Sequence, residues 1–99
     1  MSVRVKLPHH LRNLAEVGAE VELAISGPVT ANAILDELEA RYPMLRGIVR
    51  EHGSGQRRAY LRYFACQEDI SHDSPDEPLP EVVASGEEPF IVLGAISGG

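Results

Sequence analysis

The chain has 99 residues, of which 43% are hydrophobic and 24% charged, and its formal net charge at pH 7 is −6. This length suits one folded domain, and the composition is not that of a disordered chain. The single cysteine excludes an internal disulfide framework, a cysteine-built zinc site and a four-cysteine iron–sulfur cluster.

Charge and hydropathy also bear on partners and location. The acidic balance argues against nucleic acid as the main partner. No stretch has the apolar core of a signal peptide or the length of a membrane span, so we expect a cytoplasmic protein that does not engage membranes.

The charges are unevenly distributed along the chain. Six arginines and one acid lie within residues 41–62, whereas residues 63–99 carry eight acids and neither lysine nor arginine. Such runs are usually a solvated surface, and the alternative is electrostatic steering of a protein partner.

The first 25 residues predict two strands. Apolar and basic residues alternate over residues 3–7, which is the period of a half-buried strand, and Pro8 ends it. A second alternation covers residues 20–25, and the connection between them has room for about one helical turn. Two neighbouring alternating strands predict an antiparallel pair.

One main helix follows. Thr30 is a suitable N-cap, and Pro43 marks the end of the helix or a kink. Apolar spacing beyond Pro43 predicts a short helical continuation up to His52. The residues that fall on one side of the 3.6-residue repeat are Ala31, Ile34, Leu35, Leu38 and Tyr42.

The second half predicts three more strands. Residues 58–66 form a third strand, residues 67–69 a turn, and Ile70 begins a short return strand. The proline-rich residues 71–80 indicate a surface loop, residues 81–84 a helical turn, and residues 85–88 a reversal. The final strand, opened by Pro89, is apolar on both faces, which favours an interior position.

The order strand, strand, helix, strand, short strand, strand predicts an α+β fold. If the first and last strands lie side by side and parallel, the result is a mixed sheet of four to five strands with one main helix on one face. This is the β-grasp, or ubiquitin-like, arrangement, and we expect residues 1–99 to form one such domain.

The chain closes on Gly98-Gly99 directly after this strand. Taken alone, two terminal glycines suit a frayed end, because they lack side chains that pack. The alternative is that the terminal carboxylate is a reactive group on a slim, flexible tail, residues 97–99.

Element order, the acidic turn near Cys66 and the Gly-Gly end together resemble the MoaD/ThiS family of ubiquitin-like sulfur carriers. The resemblance covers essentially the whole chain. Two departures stand out: Ala65-Cys66 occupies the place of a frequent Val-Asn, and Gly94-Ala95 that of a frequent Pro-Pro pair.

The resemblance implies a function without catalysis by this chain. An E1-like adenylyltransferase (MoeB/ThiF-like) would adenylate the Gly99 carboxylate with ATP and Mg²⁺, and sulfur would then replace AMP to give a thiocarboxylate. Gly98 beside it would let the tail enter a narrow channel. The acceptor would be a synthase subunit, MoaE-like or other, as in molybdopterin biosynthesis. The chain itself would bind no cofactor and would be at most the non-catalytic small subunit of a sulfurtransferase complex.

Alternation predicts which residues would dock such partners. The side chains expected on the sheet face away from the helix, with Ser97 on the tail, are Ile91, Leu93, Arg4, Lys6 and Arg62. The alternative is that loop 71–80 folds over this face and merely buries it.

Other candidate features favour structural interpretations. The four histidines lack regular ligand spacing, so no metal site is expected, and Cys66 is more typical of a packed, inert residue than of a nucleophile or sulfur carrier. Two other functions remain open: a protein modifier that forms isopeptides through the same tail, and a β-grasp interaction module with an incidental Gly-Gly end.

Overall fold

The computed structural model describes residues 2–94. The strands are β1 (Ser2–Lys6), β2 (Glu20–Ala24), β3 (Leu61–Ala65), β4 (Glu68–Asp69) and β5 (Phe90–Gly94). The helices are α1 (His9–Ala15), α2 (Ala31–Arg41) and α3 (Glu81–Ala84), with a 3₁₀ turn at Pro43–Leu45. The predicted extension of the last strand to Ile96 and the Gly-Gly end lie outside the described residues.

The five strands form one mixed sheet in the order β2-β1-β5-β3-β4. β5 lies in the middle, parallel to β1 and antiparallel to β3, while β1 and β2 form the predicted antiparallel pair. The apolar character of both faces of β5 therefore correctly predicted its central position. This is the β-grasp arrangement.

Helix α2 packs across one face of the sheet. It begins as predicted, because the Thr30 hydroxyl oxygen accepts a hydrogen bond of 3.0 Å from the Ala33 amide. Ile34, Leu35 and Leu38 are buried against the sheet. The regular helix ends at Arg41, two residues before Pro43.

The segment after α2 is less regular than predicted. The helical continuation ends at Leu45 instead of reaching His52, and Gly47 takes a φ of +79°, which is incompatible with a continuing right-handed helix. The third strand starts at Leu61, not at residue 58. The Arg58 side chain donates from Nη2 to the Gly47 carbonyl oxygen at 2.6 Å. Residues 58–60 therefore belong to the connection before β3 and not to the strand itself.

The turn between β3 and β4 was also predicted too late. Cys66 and Gln67 have φ angles of 52° and 66°, and Glu68 already pairs with Ala65. Two consecutive positive φ angles make a two-residue hairpin turn of the I′ kind, whose twist matches that of the flanking strands. Asn and Gly usually mark such a turn, and neither is present here, so its position was missed.

Residues 2–94 include no helix with the length and apolar character needed to span a membrane.

Candidate functional site

The strand register places all five predicted docking residues of the sheet on one face. Lys6 pairs with Ile91, and Leu93 pairs with Arg62, so these four side chains project to the same side. Arg4 lies two residues before Lys6 and shares that side. We call this the open face, in contrast to the packed face that α2 covers.

An apolar strip runs along the middle of the open face. Leu93 is 44% exposed, and Ile91 is half-buried beside it. Phe64 pairs with Ile91 from β3 and is also half-buried. Phe64 belongs with the candidate docking residues although it was not predicted as one. The same alternation that indicated Arg62 could have found it.

The proline-rich loop does not cover the open face. The Pro75 carbonyl oxygen accepts a hydrogen bond of 3.0 Å from the Asn32 amide, and the Leu79 amide donates to Val29 at 2.9 Å. Thr30 and Pro78 form an isolated bridge. Because these contacts hold loop 71–80 against the start of α2, the loop lies on the helix side, and the alternative in which it buries Ile91 and Leu93 does not hold.

Arg4 is held by the fold. Its guanidinium donates to the carbonyl oxygens of Gly86, at 2.6 Å, and Glu87, at 2.8 Å, and forms an ion pair of 3.1 Å with Glu20. These contacts fix the reversal that precedes β5. Arg4 therefore positions the central strand, whatever contact it also makes with a partner.

The other two cations of the open face are more available. Arg62 forms an ion pair of 3.3 Å with Asp69, in which both side chains are substantially exposed. Hydrogen bonds from Ser71 hold the pKa of Asp69 below its usual value, with a smaller contribution from the charge of Arg62. Lys6 is exposed and has no ion pair within residues 2–94.

The structure describes the root of the tail but not the tail itself. β5 ends at Gly94, and a Cβ at that position would lie 3.4 Å from the Cε1 atom of His10. The predicted site residues Ser97, Gly98 and Gly99 lie outside the described residues. The His10 side chain thus borders Gly94, the last described residue. From the sequence, His10 was considered only as a possible metal ligand.

Half of the arginine-rich segment serves the fold, in contrast to the predicted solvated or steering surface. Arg50 forms ion pairs with Asp36 and Glu39 on α2. Arg57 donates to the Leu61 carbonyl oxygen at 2.6 Å, and Arg58 bonds Gly47 as described. These guanidiniums bind backbone carbonyls and helix carboxylates, to which a planar group with several donors is well suited.

Within residues 2–94, no group of three or more histidine, cysteine or acidic side chains could hold a metal ion. Cys66 is half-buried in the I′ turn and packs partly against the core.

The chain resembles known proteins in its structure but not in its sequence. No family model matches the chain, and no curated protein matches it in sequence. The crystal structure of SAMP1 from Haloferax volcanii matches with a TM-score of 0.76 at 21% identity, over 100% of both chains. The small archaeal modifier protein 1 (SAMP1) from Methanosarcina acetivorans matches with a TM-score of 0.71 at 25% identity, over 99% of this chain and 96% of that one. A chain of the Amycolatopsis orientalis BexX/CysO complex matches with a TM-score of 0.72 at 18% identity, over 98% and 99%.

Proposed function

We propose that this protein is a sulfur carrier of the MoaD/ThiS kind, a co-substrate and not an enzyme. The observation that carries the proposal is positional: the central strand β5 runs directly into the segment that ends in Gly98-Gly99. The full-length likeness to ubiquitin-like structures supports it. In this account residues 1–99 are one domain with residues 97–99 as a flexible tail.

The chemistry follows from the weakness of a carboxylate as an electrophile. An E1-like adenylyltransferase would join the Gly99 carboxylate to AMP, with release of pyrophosphate from MgATP. A sulfur donor would then displace AMP and leave a thiocarboxylate. Glycine at positions 98 and 99 allows the backbone to pass where side chains would collide. The cofactors thus belong to the activating enzyme, and the reaction would take place in the cytoplasm.

The open face supplies the docking surface in this proposal. Leu93 and Ile91 would form the apolar centre of the interface, with Phe64 alongside. Lys6 and Arg62 would lie on its border, where charges contribute more to orientation and association rate than to affinity. Ser97 would continue the contact along the tail.

The BexX/CysO structure is a complex that contains a chain of this fold. By analogy, we propose that a second enzyme receives the thiocarboxylate tail of this protein and accepts its sulfur. A MoaE-like synthase subunit is the acceptor class that the family resemblance favours, which would make the chain the small subunit of a molybdopterin synthase or a relative of it.

Intact-mass measurement tests the proposal. The full chain is incubated with ATP, Mg²⁺, a sulfur donor and E1-like activating enzymes encoded near its gene. A mass gain equal to the exchange of one oxygen for sulfur, lost in a chain without Gly98-Gly99, is the expected result. If no activating enzyme produces either an adenylate or this exchange, the proposal fails and a plain interaction module remains.

A protein modifier is the second candidate, favoured by the name of the SAMP1 structures. A modifier would acylate lysine amines and produce a ladder of heavier conjugates instead of a thiocarboxylate. Lys6 is the one lysine of this chain, so conjugates between copies through a lysine would all join Gly99 to Lys6. The same mass measurement separates the two functions.

A further inference from the structure

A cavity lies on the packed side of the sheet, beneath the proline-rich loop. Its volume is about 340 Å³, within the range of roughly 300–1,000 Å³ typical of small-ligand sites. The walls come from β3, the Cys66 turn, β4, the start of α2 and loop 71–80. It is separate from the open face, because α2 and the loop lie on the opposite side of the sheet.

The loop that roofs the cavity is anchored. Hydrogen bonds join Pro75 to Asn32 at 3.0 Å and Leu79 to Val29 at 2.9 Å, so both ends of the central part of the loop are tied to the start of α2. The side-chain amide of Asn32 donates from Nδ2 to the Asp76 carboxylate at 2.8 Å. Three prolines in residues 71–80 restrict the backbone further. These hydrogen bonds and prolines therefore fix the shape of the cavity.

Apolar side chains form one part of the lining of this cavity. They are Ala31, Ala65, Ile70 and Leu79, with prolines from the loop. Tyr63 also lines the cavity. Its hydroxyl donates a hydrogen bond of 2.8 Å to the Val49 carbonyl oxygen, so this proton is not available to a ligand. An apolar stem would fill the apolar part of the cavity at the expense of water.

Three carboxylates border the same cavity without a cationic residue among its lining. Glu68 pairs with Ala65, which places its side chain on the cavity side of the sheet, and Asp73 and Glu77 come from the loop. None of the three takes part in an ion pair within residues 2–94. Arg57 is not a lining residue, and its guanidinium is engaged by the carbonyl oxygen of Ser71, to which it donates. The three exposed carboxylates therefore give the solvent side of the cavity a negative potential.

We propose that this cavity binds a primary alkylammonium group, supplied either by a free alkylamine or by a lysine side chain of a partner protein. The methylene stem would occupy the apolar part of the cavity, and the ammonium would donate to the carboxylates of Glu68, Asp73 and Glu77 on its solvent side. The binding does not involve the open face or Gly99, so it stands independently of the sulfur-carrier proposal.

Cys66 lines the cavity and is the one cysteine of the chain, so its modification reports on the site. The rates of its reaction with a trimethylammonioethyl and a sulfonatoethyl methanethiosulfonate are measured by intact mass and divided by their rates with a small free thiol. We expect the cationic reagent to be favoured about fivefold, because the three carboxylates attract it while solvent screens most of that attraction. The ratio should fall towards one as salt is raised.

Matched variants separate the charge of these carboxylates from general surface charge. The double variant Glu68→Gln/Glu77→Gln should abolish most of the preference for the cationic reagent. The control Glu22→Gln/Glu87→Gln removes two exposed charges outside the cavity wall and should leave the preference unchanged. Equal rates for the two reagents in the unmodified protein, or an equal loss of preference in this control, would overturn the proposal.

Protection of Cys66 then tests binding itself. 1-Aminopentane should slow Cys66 modification by a neutral reagent, whereas 1-pentanol and pentanoate at the same concentration should not. Nα-acetyl-lysine N-methylamide distinguishes the source: protection at least equal to that by 1-aminopentane supports a partner's lysine, and weaker protection supports a free amine. Equal protection by 1-pentanol, or none by either amine, would show that the cavity does not select an alkylammonium group.

Discussion

The two faces of the sheet are built from the same five strands but are stabilised and exposed in different ways. On the packed face, Val5, Phe90 and Val92 are fully buried beneath α2. On the open face, the neighbours of these residues in sequence are Lys6, Ile91 and Leu93, of which Leu93 is almost half exposed. One face therefore stabilises the fold, and the other leaves apolar area uncovered among the described residues.

This difference is instructive because β5 belongs to both faces and leads to the tail. Burial of Phe90 and Val92 fixes the strand, and the strand in turn fixes where Ile91 and Leu93 lie. Uncovered apolar side chains beside cations are typical of an interface. The central strand thus connects the stability of the fold to the proposed docking surface and to Gly94, the last described residue before the tail.

The largest expected effect comes from truncation on the packed face. Phe90→Ala removes a fully buried ring whose centroid lies 5.6 Å from that of Tyr63, so we expect a loss of about 3–5 kcal/mol in the free energy of unfolding. Leu93→Ala on the same strand should cost less than about 1 kcal/mol. Urea unfolding measures both, and similar losses for the two variants would show that the faces do not differ as described.

Alkaline pH should weaken the packed face next. Burial raises the pKa of Tyr63 to about 12, whereas in the unfolded chain this hydroxyl ionises near 10. Between these values the unfolded chain loses the proton first, so stability is present below pH 10 and falls as pH rises towards 12, by about 1–3 kcal/mol. Tyr63→Phe should flatten this decline, at a cost near neutral pH of about 1 kcal/mol for the lost bond to Val49. An unchanged decline in the variant would refute the assignment to Tyr63.

Arg4 and Lys6 differ in their contacts: Arg4 bonds the reversal before β5, whereas Lys6 has no ion pair within residues 2–94. Arg4→Ala removes two hydrogen bonds to the reversal at Gly86 and Glu87 and should lower the free energy of unfolding by about 1–2 kcal/mol. Lys6→Ala should change it by less than about 0.5 kcal/mol. Thermal unfolding of the two variants side by side gives the comparison, and equal stabilities would mean that the Arg4 contacts contribute little.

The smallest effect concerns the hairpin turn that connects β3 to β4, two strands that contribute side chains to both faces. Gln67 has a φ of 66°, which glycine adopts without a steric penalty. Gln67→Gly should therefore stabilise the protein by about 0.5–1 kcal/mol, measured by urea unfolding. Gln67→Val, which disfavours positive φ, should destabilise it, and the opposite order would show that the turn is not of the I′ kind.

The fold was largely predictable from the sequence because local patterns determine it. Alternation over residues 3–7 and 20–25 indicated two strands with a polar and an apolar side, and Thr30 and Pro43 bracketed α2. The apolar character of both sides of β5 indicated its central place. These are signals of period and of end residues, which do not depend on distant contacts.

Features that depend on three-dimensional proximity were not predictable in the same way. Nothing in the local sequence showed that Arg50 would meet Asp36 and Glu39, or that Arg4 would reach the carbonyl oxygen of Gly86 from 82 residues away. The early turn at Cys66 was missed because its positive φ angles lack their usual residues. For the candidate docking residues, alternation correctly predicted that their side chains share one side of the sheet. Whether loop 71–80 covers them depends on the path of that loop, which local patterns do not specify.

We propose that the open face docks the activating enzyme, whereas the packed face stabilises the fold. The most direct test is ATP–pyrophosphate exchange by the cognate E1-like enzyme, with Leu93→Ala compared with Leu14→Ala. Leu14 is 43% exposed on α1, against 44% for Leu93, so the two truncations remove similar exposed area from different surfaces. We predict that Leu93→Ala raises the KM of the enzyme for this protein about tenfold, which corresponds to an interface residue that contributes about 1.4 kcal/mol to binding. Leu14→Ala should leave this KM unchanged. An unchanged KM for Leu93→Ala, or an equal rise in both variants, would contradict the account.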